Sequence, residues 1–154
     1  MKELTKERLI ELGVTDVTED GDVYVHGKLK KVCVAKCKHA NGNDKAYPII
    51  AFTDKSGEKR YYYQRKKLKS GKFAYYYKYT YKSVNIPLGR LVFAWFNGSI
   101  KDDCDHIDND PFNNSISNLR EVTRKMNLEK RLSDHPDYKS YYFNQYMNLI
   151  VQDK

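Results

Sequence analysis

The chain has 154 residues, a formal net charge of +8 and 31 % charged residues, so it is long enough for one real hydrophobic core, and its charge favours a polyanionic partner. No apolar run approaches the ~18 residues a membrane helix needs, and the opening MKELTKERLIELG lacks the apolar centre of a signal peptide, so a cytoplasmic location and no membrane partner are expected. Three cysteines give no disulfide framework.

Lys6 to Leu12 reads as a short helix, capped by Thr5 and ended by Gly13. Val14 to Gly21 is polar and turn-like. From Asp22 to Ser83 the pattern changes to β, with strands expected over Val23–His26, Leu29–Cys37, Tyr47–Thr53, Lys59–Arg65 and Lys72–Lys82. Turns are marked by His26-Gly27, Asn41-Gly42, Asp54 to Gly57 and Ser70-Gly71, which points to an antiparallel meander. Cys33 and Cys37 are spaced CxxxC with His39 and His26 nearby, but the paired CxxC knuckles of a structural zinc site are missing, so buried thiols on a strand are the expectation.

The last of these strands places Phe73, Tyr75, Tyr77, Tyr79 and Tyr81 on one face and Lys72, Ala74, Tyr76, Lys78, Thr80 and Lys82 on the other. Two readings stand side by side: an aromatic core face with solvated lysines opposite, or a sheet lying along DNA with lysines on phosphates. The connecting run QRKKLKSGK adds Lys66, Lys67 and Lys69 where a sheet edge could grip a nucleic-acid backbone.

Asn85 and Pro87 open the next helix, whose Leu88, Leu91, Val92 and Trp95 follow the i, i+3, i+4, i+7 spacing until Asn97-Gly98. Arg90 on it is expected to meet solvent or phosphate. Cys104 to Ile107 reads as a strand, Asp108 to Asn114 as a wide loop, and Ser115 to Ser117 as the return strand. Asn118 then caps a helix of about three turns carrying Leu119, Val122 and Met126. On that helix Arg120, Arg124 and Arg131 share a basic flank, with Asn127 between it and the apolar stripe. Tyr138 to Val151 forms a final helix that could cover the core, contact DNA or build a homodimer; His135 falls in the break before it.

The residue types between 102 and 130 carry chemistry. A hard cation such as Mg2+ takes oxygen ligands and needs only one or two protein groups beside substrate phosphate, a demand met by the Asp105 carboxylate and the Asn127 amide. His106 is of the type that takes a proton from water near neutral pH. Adjacent strand residues point to opposite faces, so Asp105 and His106 share one site only if the strand bends or bulges there. Asn118 is architectural.

The run DHIDNDPFNNSISNLREVTRKMN, Asp105 to Asn127, resembles the His-Asn-His (HNH) endonucleases, in particular the phage and intron-encoded homing type. Their ββα-metal motif reads Asp-His-Ile-Asp, a loop with Asn-Asn, then Asn-Leu-Arg and a later Asn. The resemblance implies that Asp105 and Asn127 are metal ligands, that His106 is the general base and that Asn118 is the middle, structural residue. It also implies Mg2+ or Mn2+ as cofactor and 5′-phosphate and 3′-hydroxyl products. LGRLVFAWFNGSI is similar to the helix that leads into this motif, often beginning His-Arg-Leu-Val; Gly89 stands in place of that His and takes no role from it. The final position is Asn rather than His, a variation seen among these enzymes.

The sequence therefore reads as an α+β protein: a β-rich region over 1–84 offering a DNA-binding surface, a leading helix and ββα-metal nuclease core over 85–131, and a helical extension over 132–154. The function expected is metal-dependent hydrolysis of double-stranded DNA, with Arg90, Arg120, Arg124, Arg131, Lys66, Lys67, Lys69 and Lys78 as DNA contacts. Two alternatives come with it: a DNA-binding protein that keeps the fold without turnover, and a nuclease acting on RNA or structured nucleic acid.

Overall fold

A computed structural model describes residues 2–37, 45–56 and 59–134. In chain order the elements are β1 (Leu4–Thr5), α1 (Lys6–Glu11), β2 (Val14–Val17), β3 (Val23–Val25), β4 (Lys28–Leu29), β5 (Cys33–Cys37), β6 (Lys45–Asp54), β7 (Arg60–Lys67), β8 (Phe73–Thr80), β9 (Lys82–Pro87), α2 (Leu88–Asn97), β10 (Ser99–Ile100), β11 (Asp103–His106), β12 (Leu119–Val122) and α3 (Arg124–Asp134), with a 3-10 turn over Ile116–Asn118. The fold is mixed, and every strand pair is antiparallel.

α2 is the hub. Its Leu88, Leu91, Val92 and Ala94 are buried with Leu9 and Leu12 from the α1 region, Val23 of β3, Ile50 and Phe52 of β6, Ile86 of β9, Ile100 of β10 and Leu119 of β12. Leu9, Leu91, Val92 and Ile100 are wholly inaccessible, and each such aliphatic side chain contributes about 1.5–3 kcal/mol by leaving water. The helix stops where the sequence marks it: Gly98 takes φ +85°, in the left-handed region that a side chain disfavours. Trp95 packs against the rim of this core, with the Lys6 ammonium 4.5 Å from its ring centre.

α1 forms as read, with Thr5 Oγ1 accepting from Arg8 N at 3.2 Å and Gly13 at φ +93°. Val14–Val17, expected as a polar turn, is instead β2. Its pairing with β3 shifts register between Val14 and Asp16, and both Val14 and Val17 are buried although three apart; the bulge breaks the alternation by which a strand is recognised. The expected strand over Leu29–Cys37 is broken into β4 and β5, and Asn85 to Pro87 complete β9 rather than begin a helix.

The meander is the larger correction. β9 pairs with β6, from Ile49 opposite Pro87 to Asp54 opposite Lys82, while β7 and β8 pair only with each other as a ribbon between them in sequence. Burial explains the choice. β6 and β9 alternate inward residues, Ile50, Phe52 and Ile86, whereas the large side chains of the ribbon are exposed. Tyr81 lies outside both strands, and Lys82 opens β9.

Cys33, expected to be buried, is exposed; His39, the Cys37 side chain, His135 and the expected helix over Tyr138–Val151 lie outside the described residues. No helix among the described residues is long and apolar enough to cross a membrane.

Candidate active site

β11 and β12 form a hairpin in continuous register, with Asp103 opposite Val122, Cys104 opposite Glu121, Asp105 opposite Arg120 and His106 opposite Leu119. Alternation sets Asp103 and Asp105 on one face and Cys104 and His106 on the other. α3 covers the first face, and the start of α2 backs the second.

Leu119 to Val122 are therefore strand, not the first turn of a helix, and Asn118 is not its cap. Two apolar residues three apart share a helix face but stand on opposite faces of a strand. Here Leu119 joins the α2 core, while Val122 and Leu128 are buried outside that cluster. The helix starts at Arg124, where Thr123 Oγ1 accepts from Met126 N at 3.2 Å and Thr123 O from Asn127 N at 3.0 Å. Met126, expected in the apolar stripe, is exposed.

On the α3 side, Asp103 Oδ2 accepts from Asn127 Nδ2 at 2.7 Å and from Arg124 Nη1 at 3.0 Å. Burial pushes this carboxyl up, but the Arg124 and Asn127 hydrogen bonds and the charges of Arg124 and Arg131 outweigh it and hold Asp103 below the ordinary carboxylate range. The bond also settles the Asn127 amide. Its nitrogen must face the carboxylate, so its oxygen faces the other way. Asp105 accepts from Arg120 Nε at 2.9 Å on Oδ2 and from Lys130 Nζ at 2.9 Å on Oδ1 and 3.0 Å on Oδ2.

On the α2 side, His106 Nε2 lies 3.1 Å from Asn114 Oδ1. Asn114 is buried and its Nδ2 donates to Pro111 O at 3.1 Å, which makes Oδ1 the end presented to the ring. Nε2 must then be the donor, leaving Nδ1 with the lone pair. Gly89 stands behind this pair: a Cβ there would lie 3.1 Å from Asn114 Oδ1 and 3.3 Å from His106 Nε2. The side chain absent at Gly89 leaves the room that the imidazole and its partner fill.

Asn118 ties down the intervening loop. Its Oδ1 accepts from Asp108 N at 3.1 Å, and its Nδ2 donates to Asp108 Oδ1 and Asn113 O, both at 2.8 Å. Asp108 is held below its ordinary range, first by the Asn118 amide, then by Asp110 N and the Asn113 side chain. The expected return strand over Ser115–Ser117 is not formed; Asn118 closes a 3-10 turn, and β12 begins after it.

Asp105, His106 and Asn127 all line one cleft of about 940 Å³, with Asn109, Pro111 and Lys130 around them. The register of β11 against β12 is continuous, so Asp105 and His106 both reach this cleft without the expected bulge. Among the described residues no three His, Cys, Asp or Glu side chains group as a metal cage. Asp105 and Asn127 bring a carboxylate and an amide oxygen to this cleft, and a cationic ammonium already rests on Asp105, so these residues would fit a hard divalent ion that completes its shell with water and phosphate. Cys104 does not enter such a set: burial pushes its thiol up to about 12.

Of the expected DNA contacts, Arg90 is corrected. It is 6 % exposed and donates to the carbonyl oxygens of Asp102, Lys2 and Ile100, so it joins the chain before β1 to the approach to β11. Arg120 and Arg124 are half-exposed and pair with Asp105 and Asp103. Arg131 lines the cleft. On the ribbon, Lys66 and Lys78 lie around one depression with Gln64 and Tyr76. The opposite face carries Phe73, Tyr75, Tyr77 and Tyr79, all exposed, with Tyr61 stacked on Tyr77 at 5.3 Å and the Arg65 guanidinium 4.0 Å from the Phe73 ring centre. Lys67 pairs with Phe73 at the ribbon's end, and Lys69 sits in its turn. The core-face reading of these aromatics is thereby excluded.

Asp103, Asn114 and Lys130 escaped the sequence reading. Each had a signal: Asp103 is two residues before Asp105 on the same strand face, Lys130 is three after Asn127 on the same helix face, and Asn114 closes the loop that begins beside His106. Residues 88–129, from the first residue of α2 into α3, match the family model of HNH endonucleases. No curated protein and no solved structure matched the chain.

Proposed function

Because residues 88–129 match the family model of HNH endonucleases, we propose that this protein is a nuclease that hydrolyses DNA phosphodiester bonds using a divalent metal, Mg2+ or Mn2+, held by Asp105 and Asn127. The observation that carries the reading is the convergence of Asp105, His106 and Asn127 on one cleft.

In this reading His106 Nδ1 takes the proton from the attacking water, since Nε2 is committed to Asn114. The Asn114 oxygen then steadies the imidazolium through the same hydrogen bond. When bound, the metal supplies a Lewis acid for the scissile phosphate and the departing 3′ oxygen. Asp103 keeps the Asn127 oxygen turned outward, and Asn118 holds the loop beside the base. The products are 5′-phosphate and 3′-hydroxyl ends. Arg120, Arg124, Arg131 and the ribbon lysines 66, 67, 69 and 78 contact the DNA backbone. The Asp-His-Ile-Asp run supports a phage or homing-type setting.

The test is cleavage of supercoiled plasmid in Mg2+ by wild type and His106→Ala. The variant should lose about 100-fold to 10,000-fold in rate while retaining DNA binding. Inactivity of both proteins on duplex, single-stranded and RNA substrates would point to a binding protein instead, and cleavage of RNA alone would change the substrate.

A further inference from the structure

Lys130 is poised as a cation on the very carboxylate that would take the metal. Its three ammonium hydrogens have three acceptors: Asp105 Oδ1 at 2.9 Å, Asp105 Oδ2 at 3.0 Å and the His106 carbonyl at 3.0 Å. The pair is largely shielded from water, with the Asp105 side chain 10 % and that of Lys130 21 % exposed.

The two basic partners of Asp105 divide the work. Arg120, on the facing strand, bonds Oδ2 only, whereas Lys130 also covers Oδ1. Lys130 comes from α3 one turn after Asn127, so it lies on the helix face that also carries the second metal-ligand candidate. Arg120 can keep hold of Oδ2 while Oδ1 is presented to an ion. Lys130 is the partner that must yield, because an ammonium 2.9 Å from Oδ1 repels a second cation brought to that oxygen.

We propose that Lys130 is a built-in competitor of the divalent metal: its ammonium fills the cation position on Asp105 in the resting protein and must swing out when the metal enters. This rests on the Asp105 and Asn127 reading of the metal site. The family match ends at Glu129, one residue short of Lys130, so the device is read from this chain's own geometry. Its use is to keep the Asp105 charge compensated without metal and to make the site selective for ions that outbid an ammonium. Lys130 is thus a positioning residue that sets metal affinity.

The experiment is Mn2+ titration of the DNA-free protein, followed by electron paramagnetic resonance of the free ion and by the melting temperature, on wild type, Lys130→Met, Lys130→Gln, Arg120→Gln and Asp105→Asn. Lys130→Met and Lys130→Gln should bind Mn2+ about 10-fold or more tightly than wild type. They should melt lower than wild type without metal and gain more from it. Arg120→Gln, which removes the same charge without opening Oδ1, should gain less than either. The glutamine variant guards against misfolding of the methionine one. Wild-type binding that Asp105→Asn abolishes, with equal or weaker binding by both Lys130 variants, would overturn the competitor while leaving the metal site intact. No Mn2+ binding that depends on Asp105 in any variant would overturn both.

Discussion

Asp103 and Asn127 are joined by a 2.7 Å hydrogen bond from the helical amide to the strand carboxylate, and Arg124 donates to the same oxygen at 3.0 Å. That one oxygen fixes α3 on the hairpin and decides which end of the Asn127 amide faces away. Both residues are buried, so the bond is made where losing it leaves an amide without solvent to replace its partner.

Asp103→Ala should therefore destabilise the protein by about 1–3 kcal/mol, the cost of an unsatisfied buried donor. Urea unfolding followed by circular dichroism measures it. An unchanged midpoint would show that α3 is held by Leu128 packing alone.

The same carboxylate gives a pH signature. Its folded pKa lies below the ordinary 3.8, so the stabilisation is fully present above that value and is lost as pH falls through the lowered folded value. The difference in urea midpoint between wild type and Asp103→Asn should be constant from neutral pH down to about 5 and shrink in acid below the ordinary value of ~3.8. A gap that widened on acidification would reverse the sign and contradict the assignment.

Asn118 should tolerate no isostere. Asn118→Asp keeps the acceptor toward Asp108 N but turns a donor into a second acceptor facing Asp108 Oδ1 and Asn113 O. It should lower stability at neutral pH at least as much as Asn118→Ala, by about 1–3 kcal/mol, and plasmid cleavage should fall with it. Thermal melts of the two variants compare them directly.

The ribbon should announce itself through salt. If Lys66 and Lys78 contact phosphates, the double variant Lys66→Ala, Lys78→Ala should weaken DNA binding and reduce the magnitude of the log Kd against log salt slope by about 2. Fluorescence anisotropy at several salt concentrations gives the slope; an unchanged one would remove the ribbon from the interface.

The parts of this fold legible in the sequence are those fixed by local chemistry. Thr5 and Gly13 bound α1, the apolar spacing from Leu88 to Trp95 marks α2 and Gly98 ends it, all without help from the rest of the chain. What depended on a distant partner was misread. Leu119 and Val122 fit a helix face equally well until β11 pairs with them. The aromatic alternation of β8 leaves a core face and a DNA-facing sheet equally open until β9 takes the place beside β6. Arg90 looks like a surface cation until Asp102, Lys2 and Ile100 turn their carbonyls toward it. In the candidate site, residue type and the resemblance of Asp105–Asn127 to the HNH motif single out Asp105, His106 and Asn127 as candidates, but their partners Lys130, Asn114 and Asp103 required the crossing of strand and helix to be known.

The central claim is that Asp105 and Asn127 share one divalent ion beside His106. A crystal grown or soaked with Mn2+ and measured at the manganese edge tests it most directly. The account predicts a single anomalous peak in the cleft, in contact with Asp105 Oδ1 and the Asn127 side-chain oxygen, with Lys130 withdrawn. An ordered cleft at saturating Mn2+ with no peak between those two side chains would contradict it.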